Sequence, residues 1–246
     1  MEIVLPHQHH LLPEIIASKK GWIVDDKDDT RYDAVGPFLD WVNTDAKHLF
    51  PILRKTVRKR LTRRDYTVNW AELLGGIDDS TRQEVALAWH HSSQHHTIPP
   101  VEGVPESARY LANVFRREKL GHAVLTADRA FTADNIKARL EEDYPDTELL
   151  IFLGQWDGGN NNHAMTKIGI HQLFGDKFWY GGEDSVNNAL SGYSVGASIA
   201  VPSQPWNRGY DFTAEIETGS LARVRNLGTK RAVKFAQNAI QTKLAA

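Results

Sequence analysis

The stretch "WHHSSQHHTIPP", residues 89–100, places four histidines in seven positions ahead of a double proline. On a continuous helix His91 and His95 stand four residues apart, so their imidazoles share one face and are spaced to hold a metal ion. The residue after His91 is Ser92 rather than the glutamate that acts as general base in the H-E-x-x-H pattern. A polar helix end explains the same residues, because cationic imidazole suits the negative end of the helix dipole. The expectation is a solvent-exposed, metal-free His91/His95 pair. "HQHH" at 7–10 carries the same ambiguity.

A second constellation depends on strand ends. "HAVLTAD" runs to Asp128 and "TELLIFLGQWD" runs to Asp157. In open α/β sheets ligands bind beyond the carboxyl ends of the strands, so parallel neighbours would bring both acids to one rim. Carboxylates within about 8 Å can share a divalent cation, Mg²⁺ or Mn²⁺, directly or through water. Asp128, Asp157 and the nearby His163 are therefore the expected catalytic residues, with Asp128 and Asp157 as metal ligands. Asp is also a common turn former and helix cap, which would account for both acids without any metal. In "GQWDGGNNNHAMTK" a glycine- and asparagine-rich loop runs into a helix, and Lys167 one turn in is a candidate phosphate ligand. Neither GxxxxGK[ST] nor GxGxxG is present. "GYSVG" (192–196) matches G-x-S-x-G in letters only, since it precedes a strand instead of following one, and Ser194 is not expected to be a nucleophile.

The third feature is electrostatic. In "PILRKTVRKRLTRR" (51–64), Leu53, Val57 and Leu61 recur every four residues as one apolar stripe of a helix that Pro51 would open. Around it lie Arg54, Lys55, Arg58, Lys59, Arg60, Arg63 and Arg64, with no acid among them. Such a face, and Arg54, Lys55, Arg58, Lys59 and Arg63 in particular, can track phosphates of a nucleic acid. A solvated helix face neutralised by acids of the same chain is the rival reading.

The elements that must position these groups divide the 246 residues unevenly. Residues 1–98 read mainly as helices; one of them, "STRQEVALAWHHSSQHH", opens with Ser80 and Gln83 at capping-box spacing. "TIPPVEGVPE" is rich in proline and glycine, and residues 99–106 are expected to be a linker or long loop. Residues 107–246 alternate helices with apolar runs, Gly121 suiting the end of the first helix. "YSVGASIAVP", "YDFTAEIE" and "LARVRN" follow as further strands, with a closing helix after residue 229. The fold class expected is α/β or α+β, a helical N-terminal part followed by a mixed sheet packed by helices.

Composition bounds the chemistry. With 29 Lys+Arg against 31 Asp+Glu the net charge is −2, so no polyanion partner follows from global charge. The absence of cysteine excludes disulfides, thiolate metal sites and cysteine nucleophiles. The amino terminus lacks a leader's basic and apolar regions and no apolar run approaches a membrane span, so a cytoplasmic protein is expected, or a virion component. These observations favour a metal-dependent hydrolase or nuclease acting on a phosphodiester or nucleotide, with nucleic acid or nucleotide as partner. Two alternatives stand beside it: a non-catalytic assembly protein, for example of a viral particle, and a small-molecule-binding domain stacking ligands on Trp156, Trp179 and Tyr180.

Overall fold

The computed structural model describes residues 1–66, 70–154 and 164–246. Its centre is a sheet of seven strands: β1 (Glu2–Val4), β2 (Trp22–Asp26), β3 (Gly121–Thr126), β4 (Leu149–Phe152), β5 (Phe178–Gly182), β6 (Ser198–Pro202) and β7 (Leu221–Val224). Their order across the sheet is β1-β4-β3-β2-β5-β6-β7, and every pairing is parallel. Parallel strands covered on both faces read as unbroken apolar runs, which is why "TELLIFLGQW" and "HAVLTAD" were legible. The α/β architecture expected from the sequence is the one observed.

Side chains alternate between two cores. Ile23, Val124, Leu150 and Tyr180 point to a face covered by the helices Val104–Glu118, Ala133–Asp143 and Lys230–Ala245. Trp22, Val24, Leu125, Ile151 and Phe178 point to the opposite face, covered by Leu12–Ala17, Lys167–Phe174 and Val186–Ser194. The connection from β2 to β3 (residues 27–120) carries the helices Val35–Trp41, Pro51–Thr56 and Asp79–His90. Its own core joins Phe38, Trp41, Leu53, Leu74, Val85 and Trp89. No helix among the described residues is long and apolar enough to cross a membrane.

Four local expectations need correction. The region expected to be mainly helical also supplies β1 and β2, and β2 is the central strand. The 51–64 helix stops at Thr56, although Leu53, Val57 and Leu61 are all buried. The Asn43 side chain accepts from Leu61 N–H (2.8 Å) and donates to its carbonyl (2.9 Å), so the stretched backbone finds partners outside a helix. "YDFTAEIE" is the helix Thr213–Glu217, because the Asp211 carboxylate takes both the N–H and the hydroxyl of Thr213 (2.9 and 2.6 Å) and starts a turn. Finally, Gly121 opens β3 while Lys119, at φ 56°, ends the preceding helix. Gly121 is needed for space: a Cβ there would sit 2.5 Å from the Trp22 ring.

Candidate active site

β2 and β5 are neighbours from which the chain winds in opposite directions, β2 toward β3 and β4, β5 toward β6 and β7. Ligand crevices form at such a switch point, beyond the carboxyl ends of the strands. Asp26 ends β2, and Glu183 and Asp184 follow directly on β5. Their carboxylate oxygens lie within 4.8 Å of one another, and all three residues are buried. Lys167, first residue of a helix whose N-cap Thr166 accepts from Gly169 N–H (3.1 Å), reaches into the cluster. Its Nζ is 2.5 Å from Asp26 Oδ1 and 3.4 Å from Glu183 Oε2. Asp184 Oδ2 accepts from the Trp206 indole at 2.8 Å.

The charges do not balance within this group. Burial and then the Glu183 charge push the Asp26 carboxyl well above the usual range, against the pull of Lys167. Burial and repulsion from Asp26 and Glu183 do the same to Asp184. The ammonium of Lys167 is held charged because Asp26 and Glu183 outweigh the penalty of burial. Three hard oxygen donors with one lysine leave negative charge that a divalent cation would relieve, and an all-oxygen donor set suits Mg²⁺ or Mn²⁺.

Asp26, Asp28, Asp128, Lys167 and Asp184 line one cavity of about 440 Å³, roofed by Phe38, Tyr66, Trp89 and Ile98 of the β2–β3 connection. Within it the backbone turns sharply after Asp26, with Arg31 and Tyr32 N–H both donating to the Lys27 carbonyl (3.0 and 2.9 Å). Asp29 takes φ 53° at this turn and accepts from Val35 N–H at 3.0 Å. Burial raises its carboxyl to about 7.

Asp128 stands at the cavity wall two residues beyond β3. Its Oδ2 pairs with the buried Lys27 ammonium at 2.8 Å, and Lys27 also meets Asp28 at 2.5 Å. Burial opposes ionisation of Asp128, but the Lys27 charge and the contacts of His95 and His90 hold it well below the usual carboxylate range. Its expected partners Asp157 and His163, like Trp156, lie outside the described residues. Lys167 occupies the site, although it pairs with carboxylates instead of standing alone for a phosphate.

The expected His91/His95 pair does not form: His91 is exposed as expected, but His95 is buried. The helix Asp79–His90 ends at His90, and Ser92 caps a new turn, Ser93–His96, by accepting from His95 N–H at 3.1 Å. This break cancels the four-residue register: His91 stays outside, stacked on Phe131 at 4.2 Å, while His95 turns inward and is 2% exposed. His90, also buried, faces His95 with ring centroids 4.9 Å apart. Burial lowers the His95 imidazole below its ordinary value despite the Asp128 charge.

Of the basic residues, Arg54, Lys55, Arg58 and Lys59 are exposed and Arg63 is half-buried. Lys59 pairs with Asp65 (2.5 Å), Arg60 with Asp40 (3.0 Å) and Arg63 with Asp33, while Arg54 and Arg58 donate to the carbonyls of Lys47 and Lys55. Ser194 ends a helix and donates to the Ser191 carbonyl. Trp179 and Tyr180 are buried within β5, unavailable for stacking a ligand. Sequence reading missed Asp26, Glu183 and Asp184. The available signal was "WIVDD", an apolar run ending in acids like the two that were singled out.

No family model matches the chain, and no curated protein is similar to it in sequence. Solved structures are similar in fold. A HAD hydrolase of family IA, variant 3, from Entamoeba histolytica HM-1:IMSS superposes with a TM-score of 0.55 at 11% identity, covering 89% of this chain and all of its own. A haloacid dehalogenase-like hydrolase from Bacteroides fragilis gives 0.52 at 16% identity, covering 85% of this chain and 99% of that one. A third, from Xanthomonas campestris, gives 0.51 at 12% identity with 91% and 99% covered. At these identities the likeness concerns architecture, and the chain carries the fold of the haloacid dehalogenase-like hydrolases.

Proposed function

We propose that this protein is a divalent-metal-dependent hydrolase of phosphate esters, with a nucleotide among the substrates its cavity would accept. One observation carries the reading: three buried carboxylates, Asp26, Glu183 and Asp184, converge with Lys167 at the switch point of the sheet. Similarity of fold to hydrolases supports it.

The residues that would hold Mg²⁺ or Mn²⁺ are Asp26, Glu183 and Asp184. The ion would neutralise charge on the phosphoryl oxygens as it builds. Lys167 fixes Asp26 through Oδ1 and adds positive charge beside the phosphoryl group. Asp26 is the nucleophile in this reading: its carboxylate attacks phosphorus as the ester P–O bond breaks. In this reading Asp28, two residues on and lining the cavity, relays the proton, to the leaving oxygen and then from the water that releases phosphate, with Lys27 as its partner while it is ionised. The apolar roof of Phe38, Trp89 and Ile98 would cover the leaving group and exclude bulk water.

The test is phosphate release from a panel of nucleotides, sugar phosphates and single-stranded DNA, with and without Mg²⁺. Release should require the metal. Asp26→Asn should lower it about 10³-fold or more, and Asp184→Asn should raise the Mg²⁺ needed for half-activity. Metal-independent release, or full activity in Asp26→Asn, would refute the assignment. Cleavage of DNA alone would turn it toward a nuclease.

A further inference from the structure

We propose that His90, His95 and Asp128 form a second metal site, of nitrogen-donor character, that takes a zinc-class cation on the wall of the same cavity. Binding at this site can be measured whether or not the hydrolase reading holds.

The spacing of the donors is the first argument. His90 Nε2 lies 3.2 Å and His95 Nε2 lies 3.3 Å from the same oxygen, Asp128 Oδ1. The three donor atoms fall within 4.8 Å of one another. Tetrahedral bonds of about 2.0 Å set ligand atoms about 3.3 Å apart, so these contacts have the spacing of a coordination shell.

Hydrogen bonding is the second, independent argument. His90 Nδ1 is 2.5 Å from the Ala86 carbonyl, which can only accept, so this nitrogen carries the ring proton. In the neutral ring Nε2 is then a bare lone pair aimed at a carboxylate oxygen. Two acceptors at 3.2 Å repel unless a cation lies between them. His95 Nδ1 is buried with no hydrogen-bond partner in a residue 2% exposed, so the ring's polar contact is on Nε2, 3.3 Å from Asp128 Oδ1. The Nε2 end is what holds that ring.

The surroundings suit a metal. Lys27 binds the other carboxylate oxygen, Oδ2, and Asp28 meets the lysine charge, so Oδ1 is left to the histidines. Two imidazoles and one carboxylate favour zinc-class ions over Mg²⁺, which separates this site from the all-oxygen cluster. The histidines come from the β2–β3 connection and Asp128 from the end of β3, so an ion here would pin the roof to the sheet. Three protein ligands leave a fourth position toward the cavity, where an oxygen or anionic group of the substrate would bind.

The experiment is a Co²⁺ titration of the full chain followed by visible absorption, with Zn²⁺ as competitor. Four-coordinate, nitrogen-ligated Co²⁺ should give strong ligand-field bands that Zn²⁺ erases. Asp128→Asn and His95→Gln should remove those bands and weaken Zn²⁺ binding about 100-fold or more, whereas Asp184→Asn should keep them. Nitrogen-15 spectra of the wild-type chain provide a reading that needs no variant: Zn²⁺ should shift the Nε2 resonances of two histidines. Absence of strong bands, bands that survive both substitutions, or a His90 ring protonated on both nitrogens and unmoved by Zn²⁺ would overturn the proposal. The last result would make a proton the bridging cation.

Discussion

Asp25, the residue before the acid cluster, is fully buried and ties the two central strands together. Its Oδ1 accepts from Gly182 N–H on β5 at 2.6 Å, and its Oδ2 pairs with Arg31 and lies 3.1 Å from His122 Nε2. Burial raises the carboxyl, but the Arg31 charge and His122 outweigh it and bring Asp25 from 3.8 down to about 2. A depression of nearly two units corresponds to about 2 kcal/mol favouring the ionised form. Asp25→Asn resembles the protonated acid and should cost about that much at pH 7. Asp25→Ala also strands the buried Arg31 and the Gly182 N–H, and should cost about 3–5 kcal/mol. The folded value lies below the unfolded one, so the contribution is complete above about pH 4 and is lost as pH falls through about 2. At pH 3 roughly half remains. Urea unfolding of wild type and both variants at pH 7, and of wild type and Asp25→Asn down to pH 3, measures each quantity. An Asp25→Ala cost under about 1 kcal/mol with unchanged m would refute the reasoning. So would an Asp25→Asn difference that does not shrink on acidification.

Gly181→Ala should destabilise by about 3 kcal/mol or more, because the added Cβ would sit 2.1 Å from the Val24 carbonyl of the paired strand. Gly209→Ala, with nothing within 4 Å of its Cβ, should change stability by no more than about 0.5 kcal/mol in the same denaturation assay. Burial holds His171 at about 4, below its ordinary 6.5, so the unfolded chain binds its proton first. Stability should therefore decline as pH falls from about 6.5 to 4, and His171→Gln should flatten that part of the urea-stability profile.

The amino-acid sequence by itself determined the strand–helix alternation of residues 107–182, since strands covered on both faces must be apolar throughout and helix stripes must recur near every fourth residue. It also marked Asp128 and Lys167 as residues of interest, and both line the cavity. β2 was hidden because "WIVDD" is only five residues long within a stretch dominated by helical periodicity. With β2 went Asp26, and with strand order went the meeting of Asp26 with Glu183 and Asp184, 157 and 158 positions further on. Parallel pairing between distant segments leaves no local mark, because a crossover can join strands of any separation. The histidines teach the same lesson at short range. Their spacing is in the sequence, but one capping bond, donated by His95 N–H to the Ser92 hydroxyl, decided which imidazoles turn inward. Which acid awaited them depended on β3 ending beside that turn, a matter of tertiary packing alone.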